Sequence, residues 1–115
     1  MTARKVTVKP SEGRYKWSQT QDAITVSLPV KNVLLKNVEV IFSDLCLKVN
    51  VPKINYIEVI DFPFEVEFDS SLNKVQLTDV SLEVFLVKKV PEQWSELQFS
   101  GLKGPELTKR RNDSL

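Results

Sequence analysis

Ala23-Ile24-Thr25-Val26-Ser27-Leu28-Pro29-Val30 is the stretch on which the fold turns. Ile24, Val26, Leu28 and Val30 recur at every second position, with Thr25, Ser27 and Pro29 between them. Successive side chains of a β-strand point to opposite faces, so this spacing gives one apolar face and one polar face. The same alternation repeats outward along the chain. Tyr15 and Trp17 alternate with Lys16 and Ser18, and Val38, Val40 and Phe42 with Glu39 and Ile41. Leu45, Leu47, Val49 and Val51 alternate with Cys46, Lys48 and Asn50, and Leu82, Val84 and Leu86 with Glu83 and Phe85. Tyr56 to Phe62 and Lys74 to Leu77 complete a set of seven short strands. Thr20-Gln21-Asp22, Ser43-Asp44, Asp69-Ser70-Ser71 and Thr78-Asp79 supply turn chemistry in the gaps. No helical pattern of about ten residues precedes Pro91, so parallel β-α-β units are excluded. The pattern predicts an all-β fold, a seven-stranded antiparallel β-sandwich of two sheets packed face to face.

The ends of the chain read differently. Residues 1–14 form an N-terminal arm or an extra edge strand, with Lys5 to Lys9 as the candidate strand. Residues 15–100 form the domain, and 101–115 a flexible basic tail. Pro91-Glu92-Gln93-Trp94-Ser95-Glu96-Leu97 has proline at a first helical position with acids following, which predicts a short helical turn sealing one end of the sandwich.

Composition narrows the chemistry. The chain has 115 residues, one domain's worth, with 42% hydrophobic and 27% charged residues and a formal net charge of +1. Near-neutral charge offers no general attraction to nucleic acid or an anionic membrane. No apolar run approaches the roughly 20 residues of a membrane helix, and Met1 to Lys9 lacks the apolar core of a secretory signal. A single cysteine, Cys46, allows no internal disulfide and fits a cytoplasmic location. The chain has no histidine, which removes Ser-His-Asp and Cys-His catalysis and every histidine metal site. Cys46 shares a face with Lys48 but has no general base beside it. Glu65, Glu67 and Asp69 lack a glycine-bearing calcium loop and read as a solvated acidic face. Lys109-Arg110-Arg111 carries no interleaved aromatics for stacking bases and reads as solvated tail. The expectation is a protein that is not an enzyme and needs no metal or cofactor.

Tyr15-x-Trp17-x-Gln19-Thr20, followed by a strand ending Leu28-Pro29, resembles the opening of CS domains. These are the immunoglobulin-like sandwiches shared by small heat-shock-protein-90 co-chaperones, Sgt-type proteins and NudC-type proteins. Leu45-x-Leu47-Lys48-Val49-Asn50 resembles the family's fourth strand, and Leu82-x-Val84-x-Leu86-x-Lys88-Lys89 with Trp94-x-x-Leu97 its last strand and closing tryptophan. Ser27-Leu28-Pro29-Val30-Lys31 and Leu47 to Pro52 look most like the branch that serves axonemal dynein assembly. The resemblance implies a non-catalytic adaptor that acts with heat-shock chaperones, in dynein arm assembly and hence the cilium. Its NudC-type alternative is a dynein-linked scaffold or holdase that does not depend on heat-shock protein 90. The Sgt-type surface for heat-shock protein 90 has aromatics at the positions of Ser18 and Pro29, a basic residue at Ser81 and an acid at Glu83; only Glu83 fits.

Two sets of residues are singled out on this basis. Tyr15, Trp17, Ile24, Val26, Leu28, Leu47, Val49, Val84, Leu86 and Trp94 are expected to define the core. With Leu82, Val84 and Leu86 pointing inward, Phe85 and Val87 point outward, and the family's strand pairing places them near Thr25 and Ser27. That apolar pair, rimmed by Lys16, Ser18 and Glu83, is the candidate partner-binding face of a monomer whose partners are a heat-shock chaperone, a dynein-related client, or both. The competing reading has the segment Val6 to Val8 lying across it.

Overall fold

The computed structural model describes residues 15–99. Seven strands occur in them: β1 (Lys16–Gln19), β2 (Ala23–Leu28), β3 (Glu39–Phe42), β4 (Cys46–Val51), β5 (Tyr56–Asp61), β6 (Lys74–Leu77) and β7 (Leu82–Val87). They form a four-stranded sheet of order β1-β2-β7-β6 and a three-stranded sheet of order β3-β4-β5, with every pairing antiparallel. The chain crosses between sheets twice, from β2 to β3 and from β5 to β6. The expected arm over 1–14, with its candidate edge strand, and the tail over 101–115 lie outside the described residues.

The local turns follow the side chains available. Thr20 Oγ1 accepts hydrogen bonds from the backbone N–H groups of Asp22 and Ala23 and closes the β1–β2 hairpin. Thr78 Oγ1 does the same for Val80 and Ser81 between β6 and β7. These threonine turns fix the hairpin registers in which Trp17 faces Val26 and Val75 faces Val84. Two short 3-10 turns, Leu35–Asn37 and Pro52–Ile54, shape the opposite loops, and Asn55 takes the left-handed conformation that lets the second turn enter β5.

The core lies between the sheets. Ile24, Val26 and Leu28 of β2 meet Leu47, Val49 and Val51 of β4, with Leu82, Val84 and Leu86 of β7 and Ile60 of β5 beside them, all enclosed. Each such side chain contributes about 2 kcal/mol by leaving water. Trp94 and Leu97 close one end of this cluster. Tyr15 and Trp17, just before and within β1, are half-buried against it; among the described residues β1 is an edge strand, paired with β2 alone.

The expected helical turn over Pro91 to Leu97 is not helical; the segment is extended and bent. Backbone groups of Pro91, Glu92 and Trp94 are captured by side chains of Gln21, Lys88 and Gln19. Gln19 Nε2 donates to the Trp94 carbonyl at 2.8 Å, the Trp94 N–H donates to Gln19 Oε1 at 2.9 Å, and Lys88 Nζ donates to the Glu92 carbonyl at 2.6 Å. Amide and ammonium partners at these distances replace the bonds a helix would make internally.

Candidate functional site

The register of the four-stranded sheet lays out its outer face in rows. Lys16, Ser27, Glu83 and Gln76 lie side by side across β1, β2, β7 and β6, and Ser18, Thr25, Phe85 and Lys74 form the next row. Val87, opposite Ala23, follows Phe85 toward the end of β7. The sheet therefore brings Lys16, Ser18, Thr25, Ser27, Glu83, Phe85 and Val87 onto one surface. Lys16 and Ser18 are exposed, and the other five are half-buried.

Two details of this face were not visible in the strand pattern. Glu83 Oε2 accepts hydrogen bonds from Ser27 Oγ and from Ser81 Oγ, each at 2.5 Å. Its carboxylate is thus held by its own sheet and by the β6–β7 turn, and Lys16 and Lys74 are the lysines in these rows. Phe85 is half-buried, so its ring is part of the sheet's packing as well as of its surface. Asn73 ties the lower corner: its Oδ1 accepts from the Val87 N–H at 2.9 Å and its Nδ2 donates to the Glu67 carbonyl.

Beyond the end of β7 lies a polar latch. Lys88 follows Leu82, Val84 and Leu86 on the inward parity and is only 3% exposed. Its ammonium donates to Gln19 Oε1 at 2.8 Å, the Thr20 carbonyl at 2.7 Å and the Glu92 carbonyl at 2.6 Å, so all three N–H groups are used. It also sits 5.6 Å from the centroid of the Trp94 ring, within cation–π range. Burial pushes the Lys88 pKa down, and the carboxylates of Asp22 and Glu92 oppose that shift. Gln19 bridges the latch to Trp94 through both ends of its amide. The latch joins the β1–β2 hairpin, the end of β7 and the closing segment. The inward parity of Lys88 was the readable signal for it: a lysine on an apolar stripe needs internal partners.

Next to the latch is an open groove of about 340 Å³ lined by Leu45, Pro63, Phe64, Glu65, Lys89, Val90 and Glu92. Phe64 is 46% exposed and Val90 58% exposed, while the Phe64 ring packs on Trp94 with centroids 6.1 Å apart. Glu65 pairs with Lys89 at 3.0 Å. Glu65, Glu67 and Asp69 do not lie on a strand; they belong to the connection from β5 to β6, anchored by an isolated bridge between Val66 and Lys88. Cys46 is buried on the outer side of β4 opposite Asp61, so it does not share the exposure of Lys48.

The CS domain family matches residues 13–99. The chain belongs to the CS domain family. Such domains are a chaperone-associated protein-interaction fold, and the expected resemblance is the true relationship. Dynein axonemal assembly factor 4 of Pongo pygmaeus is 27% identical over 101 residues, covering 88% of this chain and 23% of that protein. The Rattus norvegicus protein of the same name is 28% identical over 105 residues. The chain thus spans about a quarter of the length of the curated relatives it matches. Among solved structures, a nuclear movement protein from E. cuniculi superposes with a TM-score of 0.60 at 20% identity, over 76% of this chain and all of the other. Heat shock protein 16.0 from Schizosaccharomyces pombe superposes with a TM-score of 0.56 at 17% identity, over 80% of this chain. These two share the sandwich fold. No helix among the described residues is long and apolar enough to cross a membrane.

Proposed function

We propose that this CS domain is a co-chaperone or adaptor module that binds heat-shock chaperones, a dynein-related client, or both, during dynein arm assembly in the cytoplasm. The observation that supports this most is the outer face of the four-stranded sheet, where Phe85 and Val87 sit among Thr25, Ser27, Lys16 and Ser18 on one surface. A sheet face of this kind suits recognition of another protein's surface, with an apolar centre and a charged rim. The similarity to dynein axonemal assembly factor 4 supports this choice of setting. Binding by one face of so small a sandwich is modest in strength, since stable complexes bury about 800 Å² on each partner. The reading assigns the chain no catalytic step and no cofactor, nucleic acid or membrane, and it treats the working unit as a monomer. Direct contact with heat-shock protein 90 would differ in detail from the Sgt-type mode, because Glu83 is the sole match and its carboxylate is already held by Ser27 and Ser81.

Affinity capture with purified heat-shock proteins 90 and 70 and with dynein assembly proteins tests the reading. Retention of at least one partner, reduced by Lys16→Glu with Ser18→Glu, is the expected result. Clean absence of all of them overturns it. A second reading, a NudC-like scaffold or holdase acting without heat-shock protein 90, is favoured by the aliphatic side chains exposed at loop tips, Leu34, Leu35 and Val80 among them. Suppression of client aggregation by the isolated chain would select it.

A further inference from the structure

The groove beside Trp94 shares no residue with the sheet face and has its own chemistry. Its floor and walls are apolar: Leu45, Pro63, Phe64 and Val90. Its rim is acidic. Glu65 and Glu92 line it directly, and Glu67 and Asp44 lie near enough to Lys89 to raise its pKa, after the larger effect of its hydrogen bond to Glu65. Asp22 lies close to Lys88 on the neighbouring turn. Lys89 is the one exposed cation lining the groove, and Glu65 already neutralises it at 3.0 Å. Lys88 is buried, with its three donors committed to Gln19, Thr20 and Glu92. Around the groove, Asp22, Asp44, Glu65, Glu67 and Glu92 set five carboxylates against the two ammonium groups of Lys88 and Lys89, so the surroundings of the exposed Phe64 ring are net acidic.

From this we infer that the groove is a docking site for a short peptide segment that carries an apolar side chain flanked by lysine or arginine. The apolar side chain would sit against Phe64 and Val90, taking from water two side chains that the domain leaves about half exposed. The flanking cations would meet Glu92 and the acidic excess that Glu65, Glu67 and Asp44 leave around Lys89, which attracts cations and selects against acidic sequences. The site goes beyond the sheet-face reading and stands whether or not that face binds a chaperone.

The test uses the full chain and two fluorescein-labelled peptides, Lys-Leu-Val-Leu-Arg and its charge-reversed counterpart Glu-Leu-Val-Leu-Glu, followed by anisotropy. Three protein forms are compared: the parent, Val90→Ser and Glu65→Lys. Val90 and Glu65 are exposed or half-buried and outside the core cluster, and thermal unfolding of each variant verifies that it folds. The basic peptide is expected to bind the parent at least about tenfold more tightly than the acidic one, a difference of about 1.4 kcal/mol. Val90→Ser should weaken it several-fold, and Glu65→Lys should erase most of the preference. If Glu65→Lys does not fold, Val90→Ser decides alone. Failure of the basic peptide to bind, equal binding of the two peptides, or indifference to the variants would overturn the inference.

Discussion

Leu86 and Lys88 lie two residues apart on the same face of the same strand direction, yet one enters an apolar interior and the other a cage of oxygen atoms. At Leu86 the opposing sheet and β2 cover the strand, and Ile24 lies directly across from it. At Lys88 the sheet has ended, and the cover is the β1–β2 turn together with the segment ending in Trp94, both of which present carbonyl and amide oxygen. The comparison separates two causes. Strand parity decides which side chain points inward; the chemistry of whatever closes that region decides which residue type is tolerated there.

The comparison can be broken first at its apolar half. Leu86→Ala should cost about 3 kcal/mol of unfolding free energy in urea titrations, the usual range for emptying an enclosed leucine site. Lys88→Met keeps much of the side-chain volume but removes three donors, so the carbonyls of Thr20 and Glu92 lose their partners; a loss of about 2 kcal/mol is expected. Equal or greater stability in that variant would mean that the latch is a desolvation burden the fold tolerates and not a clasp. Gln19→Ala removes three bonds but leaves the ammonium in place, and should cost about 1–2 kcal/mol while loosening Trp94, read as a shift in tryptophan emission.

Alkaline titration sharpens the contrast further. The Lys88 pKa is lowered in the fold by burial, so its contribution is present above the ordinary value of 10.5 and is lost as pH falls through the folded pKa. Tyr15 behaves oppositely. Burial first, then the charge of Glu58, raises its pKa, so stability is lost as pH rises past 10.0 through the folded value. In urea midpoints measured over the alkaline range, Lys88→Met should therefore decline more steeply than the parent, and Tyr15→Phe less steeply. The smallest effect belongs to the adjacent lysine. Lys89 with Glu65 is a solvent-facing pair, and Glu65→Gln should leave the unfolding midpoint unmoved within error.

Strand identity was readable because each sheet has one dry face, so period-two spacing carries through Ile24, Val26, Leu28 and through Leu82, Val84, Leu86. The turn threonines were readable because Thr20 and Thr78 bond their own backbone two or three residues on. The closing segment was not, since its conformation is set by Gln19 and Lys88, 75 and 4 residues from their partners Trp94 and Glu92. Local propensity favoured a helical turn, and tertiary hydrogen bonds overrode it. The outer-face residues followed from parity and register, whereas the clasp of Ser27 and Ser81 on Glu83 depends on rotamers that no pattern encodes. The groove around Phe64 and Val90 was hidden for a related reason: its residues come from three separated segments that lie outside the strands.

The most direct measurement is an amide-resolved NMR titration of the isotope-labelled chain with unlabelled heat-shock protein 90, heat-shock protein 70 and a dynein assembly protein, each added separately. The account predicts that at least one of the three broadens or shifts signals clustered at residues 16–18, 25–27 and 83–87. Unchanged spectra with all three, or changes confined to other parts of the domain, would contradict it.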